Sequence, residues 1–408
     1  MISTHDKIIA AFQKNKGILR LVPNWIPREF NIPGKRLRLH PDDYFCFGLS
    51  RGSIKERWFS STVTAMNGPL APPEEGLSKV ALSNAYSDTV FFRDVVDLLG
   101  EQLIGPELQN CYGGWPMYCK YFDNAGPLEH HLHLDDRHAA EIGLLGKPEA
   151  YYFPAQLNNY SGSFPVTYFG YSPDVTRDEV RRRLMMFESG DNRITELSRA
   201  YRLQPGTGWY TPPGVAHAPG SLLTYEPQWN SDVGSIQENI INGKECPRIK
   251  LVANLPENKQ NDMDAIMDLM DWDANIDPDY RRKYFRPPVP VNTNSSEWSE
   301  SWITYDNPYF AAKETTVHPG CTAILKDVAA YGCIIIQGHG VFGSFADAEA
   351  ATLLRFNQLS GDEYFVSEDA ARDGVRVVNR SSYEPMVILR HFGPNAGAPN
   401  TTTTVSAS

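Results

Sequence analysis

The sequence predicts a mainly β-stranded protein with helical insertions, built as two β-barrels joined by a connector. Short β-rich runs alternate with turns over residues 17–53, and the same alternation returns from Trp302 onward. The chain has 408 residues, of which 41% are hydrophobic and 21% charged. This is enough to bury a large core, and the length favours two domains.

Helices are predicted at three places before the connector. Residues 5–15 have the apolar spacing of a short helix with no decisive cap, and residues 78–104 show helical periodicity. Residues 176–187 form the third helix, with Thr176 as its N-cap. The basic cluster Arg181 to Arg183 either reaches an anionic substrate or forms salt bridges on a solvated face.

Charge and cysteine content exclude several classes of function. A net charge of −11 disfavours nucleic acid or an anionic membrane as a partner. The six scattered cysteines contain no Cys-x-x-Cys pair and are predicted to be reduced. The early polar residues do not resemble a signal peptide, and no apolar run reaches membrane length, so a cytoplasmic location is predicted.

Residues 129–136 crowd three imidazoles and three carboxylates into one segment. Because side chains two apart on a strand face the same way, His131 and His133 can bind one metal ion; a polar patch on a solvated strand is the alternative. Glu149, on a neighbouring predicted strand, and His217, after a Pro/Gly turn, complete a set of three His and one Glu. Such a set holds a Zn, Fe or Mn ion and leaves positions open for substrate or water.

The order of these motifs is similar to the cupin superfamily, and closer still to type I mannose-6-phosphate isomerases. The family pattern is Gln-x-His-x-Asp-Asp, Gly-Lys-x-Glu, Pro-x-Gly-x-x-His-Ala and Glu-x-Gln-x-x-Ser-Asp. Residues 131–136, 146–149, 212–218 and 226–232 match it in that order. The resemblance implies a double cupin of two jelly-roll barrels that holds one divalent ion, with zinc first and Fe, Mn or Ni as alternatives.

The resemblance also suggests a division of the chain. Residues 1–250 would form the metal-binding barrel with its helices, 251–298 a helical and Pro-rich connector, and 299–395 a second barrel. Residues 396–408 would be a mobile tail, since they lack apolar content. The second barrel is predicted to be metal-free, because Val375 occupies the position of its metal His.

Two residues depart from the family pattern. His131 stands where the family has a Gln ligand, which makes the identity of the metal less certain. Ile236 stands where the family has an Arg that binds the sugar phosphate, and an uncharged side chain cannot replace a guanidinium. The basic residues 281–286 of the connector either supply the missing cation or form a surface linker.

The function implied by the resemblance is aldose-ketose isomerisation of a sugar or sugar phosphate, with an altered substrate. Glu226 and Asp232 match the family positions for proton transfer, and Lys147 would hold substrate oxygens; each could instead be a supporting partner of the site. The alternatives are an oxygen-activating cupin dioxygenase and a non-catalytic sugar-binding protein. Residues 338–343 match the letters of a dinucleotide fingerprint, but no strand-helix-strand rhythm surrounds them.

Overall fold

The computed structural model describes residues 3–29 and 31–400. Among these residues, no helix has both the length and the apolar character needed to cross a membrane. The helices are α1 (Thr4–Lys14), α2 (Phe92–Leu99), α3 (Glu101–Ile104), α4 (Pro106–Tyr112), α5 (Asp136–Ala140), α6 (Arg177–Met185), α7 (Ile249–Val252), α8 (Met263–Asp268), α9 (Trp272–Ile276), α10 (Tyr280–Tyr284) and α11 (Glu368–Asp373).

Strands make up more of the described chain than helices do, which confirms the predicted fold class of mainly β structure with helical insertions. The strands are β1 (Ile18–Val22), β2 (Asn24–Arg28), β3 (Ser53–Phe59), β4 (Lys79–Ala81), β5 (Thr89–Phe91), β6 (Met117–Phe122), β7 (His131–Leu132), β8 (Glu149–Tyr152), β9 (Val166–Tyr171), β10 (Ser198–Arg202), β11 (Gly208–Thr211), β12 (His217–Ala218), β13 (Thr224–Trp229), β14 (Ser235–Ile236), β15 (Ile240–Ile241), β16 (Lys244–Glu245), β17 (Phe285–Arg286), β18 (Val289–Val291), β19 (Trp298–Thr304), β20 (Ala311–Val317), β21 (Thr322–Leu325), β22 (Tyr331–Gln337), β23 (His339–Phe342), β24 (Phe345–Glu349), β25 (Glu363–Val366), β26 (Val375–Asn379) and β27 (Met386–Phe392).

Two pairs of sheets form two sandwiches. The first sandwich packs a seven-stranded sheet, in the order β17-β11-β8-β13-β6-β3-β2, against a five-stranded sheet, β10-β9-β12-β7-β14. The second packs a nine-stranded sheet, β18-β19-β20-β27-β22-β25-β1-β4-β5, against a four-stranded sheet, β21-β26-β23-β24. A ribbon of β15 and β16 stands apart from both.

The seven-stranded and nine-stranded sheets lie back to back and share an apolar layer. Polar contacts also cross this layer: the Tyr225 hydroxyl lies within hydrogen-bonding distance of Nδ1 of His391, at 2.8 Å, and Arg57 forms a two-armed ion pair with Asp362. Because buried charges are stable only when paired, these contacts fix the two sandwiches in one register.

The predicted division of the chain does not coincide with the sheets. Strand β1, near the start of the sequence, pairs with β25 of the second sandwich, and β4 and β5 continue the same sheet. Within the connector, β17 joins the first sandwich and β18 joins the second. Of the expected tail, Ala396 and Ala398 pack on the second core, and residues 401–408 lie outside the described residues.

Local structure confirms the predicted N-cap of one helix and corrects the expectation for another. Thr176 caps α6 as predicted, and Arg181 to Arg183 form ion pairs with nearby carboxylates, so the salt-bridge interpretation holds. Helix α1 does have a decisive cap, since Ser3 and Asp6 form a reciprocal capping box. Residues 338–343 enter an antiparallel hairpin of β23 and β24, where the dinucleotide motif would require a helix.

Candidate metal centre

Both sheets of the first sandwich contribute to a cluster of three imidazoles and one carboxylate. His131 on β7 pairs directly with His217 on β12, and their ring centroids lie 4.2 Å apart. His133 follows β7, with Leu132 and Leu134 buried on the opposite side, as the strand spacing predicts. One ligand atom from each imidazole lies within 4.8 Å of the others. Glu149 reaches the cluster from β8 of the facing sheet.

Backbone carbonyls fix the protonation of the three rings. Nδ1 of His131, His133 and His217 lies 2.7, 2.8 and 2.8 Å from the carbonyl oxygens of Glu129, Val233 and Val215, respectively. A carbonyl only accepts, so each Nδ1 carries the hydrogen and each Nε2 keeps a lone pair. This is the arrangement by which a protein orients imidazoles toward a metal.

The Nε2 atoms of these imidazoles are placed to bind a metal ion. Within residues 3–29 and 31–400, the buried Nε2 atoms of His133 and His217 have no hydrogen-bond partner. They lie 2.9 and 3.1 Å from the two carboxylate oxygens of Glu149, which also present lone pairs. A cation between them would turn this repulsion into attraction, and three nitrogens with one carboxylate suit a divalent ion.

Burial keeps the imidazoles in the form that binds metal. It lowers the pKa of His131 well below its ordinary value and that of His133 to about 4. Both rings are therefore neutral at physiological pH, and a metal would not have to displace a proton from them.

Glu226, one of the predicted catalytic residues, lies beside this cluster on β13. Burial and the negative charge of Glu149 raise the pKa of the Glu226 carboxyl well above its ordinary value. Its Oε1 lies 3.1 Å from Nζ of Lys120, the residue that pairs with it across β6. A buried carboxyl with a raised pKa can hold a proton and pass it on, as general acid–base catalysis requires.

Lys147 and Asp232, the other predicted catalytic residues, also lie beside the cluster of imidazoles and Glu149. Nζ of Lys147 lies 3.5 Å from Oε2 of Glu149 and 4.0 Å from Oδ1 of Asp232. Burial alone would raise the pKa of Asp232, but Arg28 and Lys147 hold it at about 2. Asp232 is therefore an anion at all ordinary pH values, which suits a fixed charge better than a proton carrier.

Three charged residues of the site escaped the sequence analysis: Arg28, Glu56 and Lys120. Arg28 contacts Asp232 and Glu56 at 3.1 Å each, and Lys120 lies 3.9 Å from Glu56. The available signal was an isolated charge in an apolar strand, as Lys120 is among the aromatic residues of β6. That signal shows burial but not which neighbours the charge will meet.

Arg286, the buried arginine of the connector, does not replace the missing arginine of the site. Arg286 is buried against Asp306 and the carbonyl oxygens of Lys283 and Tyr305, on the edge strand β17. Ile236, at the position in question, pairs in register with His131 and packs against the apolar cluster behind it. The structure therefore does not bring Arg286 to the site.

The remaining histidines near the cluster point away from it. Nε2 of His130 contacts the Ser198 hydroxyl, and its ring stacks on Tyr171. His138 lies between Asp135 and Asp268. Neither belongs to the group of imidazoles that could hold an ion.

The second sandwich has buried charges at its centre, but of a different kind. Arg390 and Lys313 each contact both Glu300 and Asp327, and all four side chains are almost fully buried. Val375 is part of the apolar core beside them. These four residues are called the ion cluster below; each of its cations is matched by two carboxylates.

Comparisons with known proteins find likeness in structure only. No protein-family model and no curated protein sequence match this chain. Among solved structures, the mannose 6-phosphate isomerase from Bacillus subtilis is 16% identical, with a TM-score of 0.57, over 92% of this chain and 99% of that one. A variant of phosphomannose isomerase from Salmonella typhimurium is 12% identical, with a TM-score of 0.59, over 93% and 100%.

A third solved structure, a mannose 6-phosphate isomerase bound with zinc and yttrium, is 12% identical, with a TM-score of 0.58, over 92% of this chain and 99% of that one. Its zinc and the three clustered imidazoles of this chain both support a site for a divalent metal. At such low identities the likeness establishes the fold and leaves the substrate open. The chain thus has the fold of the phosphomannose isomerases.

Proposed function

We propose that the protein is a cytoplasmic, metal-dependent aldose-ketose isomerase that binds one divalent ion through His131, His133, Glu149 and His217. Zinc is the first candidate for the ion, ahead of iron, manganese and nickel. The observation that carries the proposal is the pair of lone-pair nitrogens aimed at the Glu149 carboxylate. Together they make a preformed cation site beside a carboxyl suited to proton transfer.

Aldose-ketose isomerisation moves a proton between adjacent carbons, and a bound divalent ion would polarise the carbonyl and hydroxyl oxygens on those carbons. Glu226 would carry the proton, because its carboxyl is buried, has a raised pKa and is free of a bidentate ion pair. Lys120 and Lys147 flank it as ammonium donors for sugar oxygens. Asp232 would hold Lys147 and Arg28 in place as a permanent anion.

The substrate we propose is a sugar without a 6-phosphate, or an anion held in another way. Ile236 offers no charge, and Arg28 already contacts Glu56, Asn67 and Asp232. A phosphate would have to compete with two carboxylates for Arg28. Each lost charge-assisted contact to phosphate costs about 1.5–3 kcal/mol.

The test of the reaction is Glu226→Gln. This substitution keeps the shape of the side chain and removes its ability to transfer a proton. We expect kcat to fall by about 10² to 10⁴ for isomerisation of mannose, lyxose or another free aldose, with metal content unchanged. Glu314→Gln is the matched control, since burial also raises the pKa of Glu314, which lies outside the site and contacts Tyr152. Equal activity of the two variants would contradict the role of Glu226.

An oxygen-activating cupin dioxygenase is the second candidate. The observation that favours it is the third imidazole, His131, at a position where the isomerase pattern has Gln. Three His and one Glu around Fe(II), with open positions, suit dioxygen chemistry. Iron in anaerobically purified protein, with oxygen uptake on a candidate substrate, would support this function over isomerisation.

A further inference from the structure

A large cavity lies on the opposite face of β13 from the metal centre. Its volume is ≈ 820 Å³, within the range of about 300–1,000 Å³ typical of small-molecule sites. Glu226 points to the metal centre, whereas Trp229, an odd number of residues further along the strand, faces the cavity. The two sites therefore share a strand but not a space.

One wall of the cavity is aromatic. The Tyr112 and Trp229 rings lie 5.3 Å apart at 81°, and the Trp229 and Tyr309 rings lie 5.4 Å apart at 65°. Tyr112 is 48% exposed, while Trp229 is buried below it. The three rings form a stepped apolar surface of the kind on which the C–H face of a pyranose ring packs.

Polar groups without partners accompany these rings. Trp115 is 2% exposed, and its Nε1 donor has no hydrogen-bond partner among the described residues. Oδ1 of Asn230 is likewise a buried acceptor that no described residue satisfies. The carboxylates of Asp97 and Asp136 also line the cavity. The exposed carboxylates next to a stacking surface offer acceptors to the hydroxyl groups of a sugar.

The charge around the cavity selects against a phosphorylated ligand. Arg93 is the cation among its lining residues, against the two carboxylates of Asp97 and Asp136. The whole chain carries a net charge of −11, which adds to the repulsion of anions. A purely apolar ligand is also disfavoured, because it would remove water from these carboxylates without replacing its hydrogen bonds.

We propose that this cavity is a binding site for a neutral saccharide, separate from the metal centre. The sugar ring stacks on Tyr112 and Trp229, and its hydroxyl groups bond to Asp97 and Asp136. The site does not depend on the proposed isomerase activity, since no residue of the metal centre lines it.

The test is calorimetric titration of the purified full chain with maltose, cellobiose and 1,4-β-mannobiose, with mannose 6-phosphate as the anionic comparison. We expect at least one neutral disaccharide to bind, and Tyr112→Ala to weaken its binding about tenfold or more, a factor equal to about 1.4 kcal/mol. Tyr383→Ala is the matched control, because Tyr383 is also exposed but lies away from the cavity. Asp97→Asn provides a second, polar variant that leaves the aromatic wall intact.

A His217→Ala variant separates the two sites, since it removes a proposed metal ligand and leaves the cavity untouched. Saccharide binding that survives in His217→Ala and is lost in Tyr112→Ala would support the proposal. It would be overturned if no neutral disaccharide binds at millimolar concentration, if Tyr112→Ala binds as well as Tyr383→Ala, or if His217→Ala abolishes binding.

Discussion

Replacing Ile236 by Arg is the sharpest test of the proposed substrate. Ile236 on β14 pairs in register with His131 on β7, which is a proposed metal ligand. The Ile236 side chain is half-buried. An arginine here would restore a charge-assisted contact to phosphate worth about 1.5–3 kcal/mol. We therefore expect kcat/KM for mannose 6-phosphate to rise by about ten- to a hundredfold, with little change for free mannose.

The control for this variant is Ile236→Met, which has a long side chain without charge. Both variants disturb the packing of Ile236 against its apolar neighbours, so any effect shared by the two reports packing rather than phosphate recognition. Rates of fructose 6-phosphate and fructose formation, measured side by side, give the two kcat/KM values. A strong preference of the unaltered protein for mannose 6-phosphate, or equal gains in both variants, would refute the reasoning.

The other predictions concern the metal, stability and pH. The protein should carry one divalent ion per chain, and His133→Ala or His217→Ala should lose it in mass-spectrometric metal analysis; full occupancy in both variants would rule out the assigned ligands. Arg390→Leu leaves Glu300 and Asp327 with one cation, so the free energy of unfolding should drop by about 3–5 kcal/mol while metal content stays the same. Burial raises the pKa of Glu363 from 4.5 to about 8, so the folded state keeps a proton that the unfolded chain releases. Stability in urea should therefore decline as the pH rises from about 4.5 to 8, and Glu363→Gln should flatten this decline.

Local periodicity carried most of the site prediction. The two-residue repeat of a strand places His131 and His133 on one face, and the Pro/Gly turn before His217 brings that residue to the neighbouring strand. These features depend on a few adjacent residues, and short motifs report them well. The same holds for Thr176, whose capping role depends only on its own helix.

Features that depend on distant pairing could not be predicted in this way. Arg28 meets Asp232 across a separation of 204 residues in the sequence, and no local pattern encodes this contact. The ion cluster of Lys313, Arg390, Glu300 and Asp327 likewise joins strands and a loop whose residues look like ordinary surface charges in the sequence. Only the sheet order turns them toward one another.

The position of β1 has a consequence for how the protein is made. This strand leaves the ribosome long before its partner β25, which aligns Leu19 with Phe365 and follows it by more than three hundred residues. Until then one edge of an apolar strand has no partner and is open to pairing with other chains. Contacts between residues so far apart in the sequence also slow folding. A fragment limited to residues 299–395 would lack β1, β4, β5 and β18, which are four of the nine strands in its largest sheet.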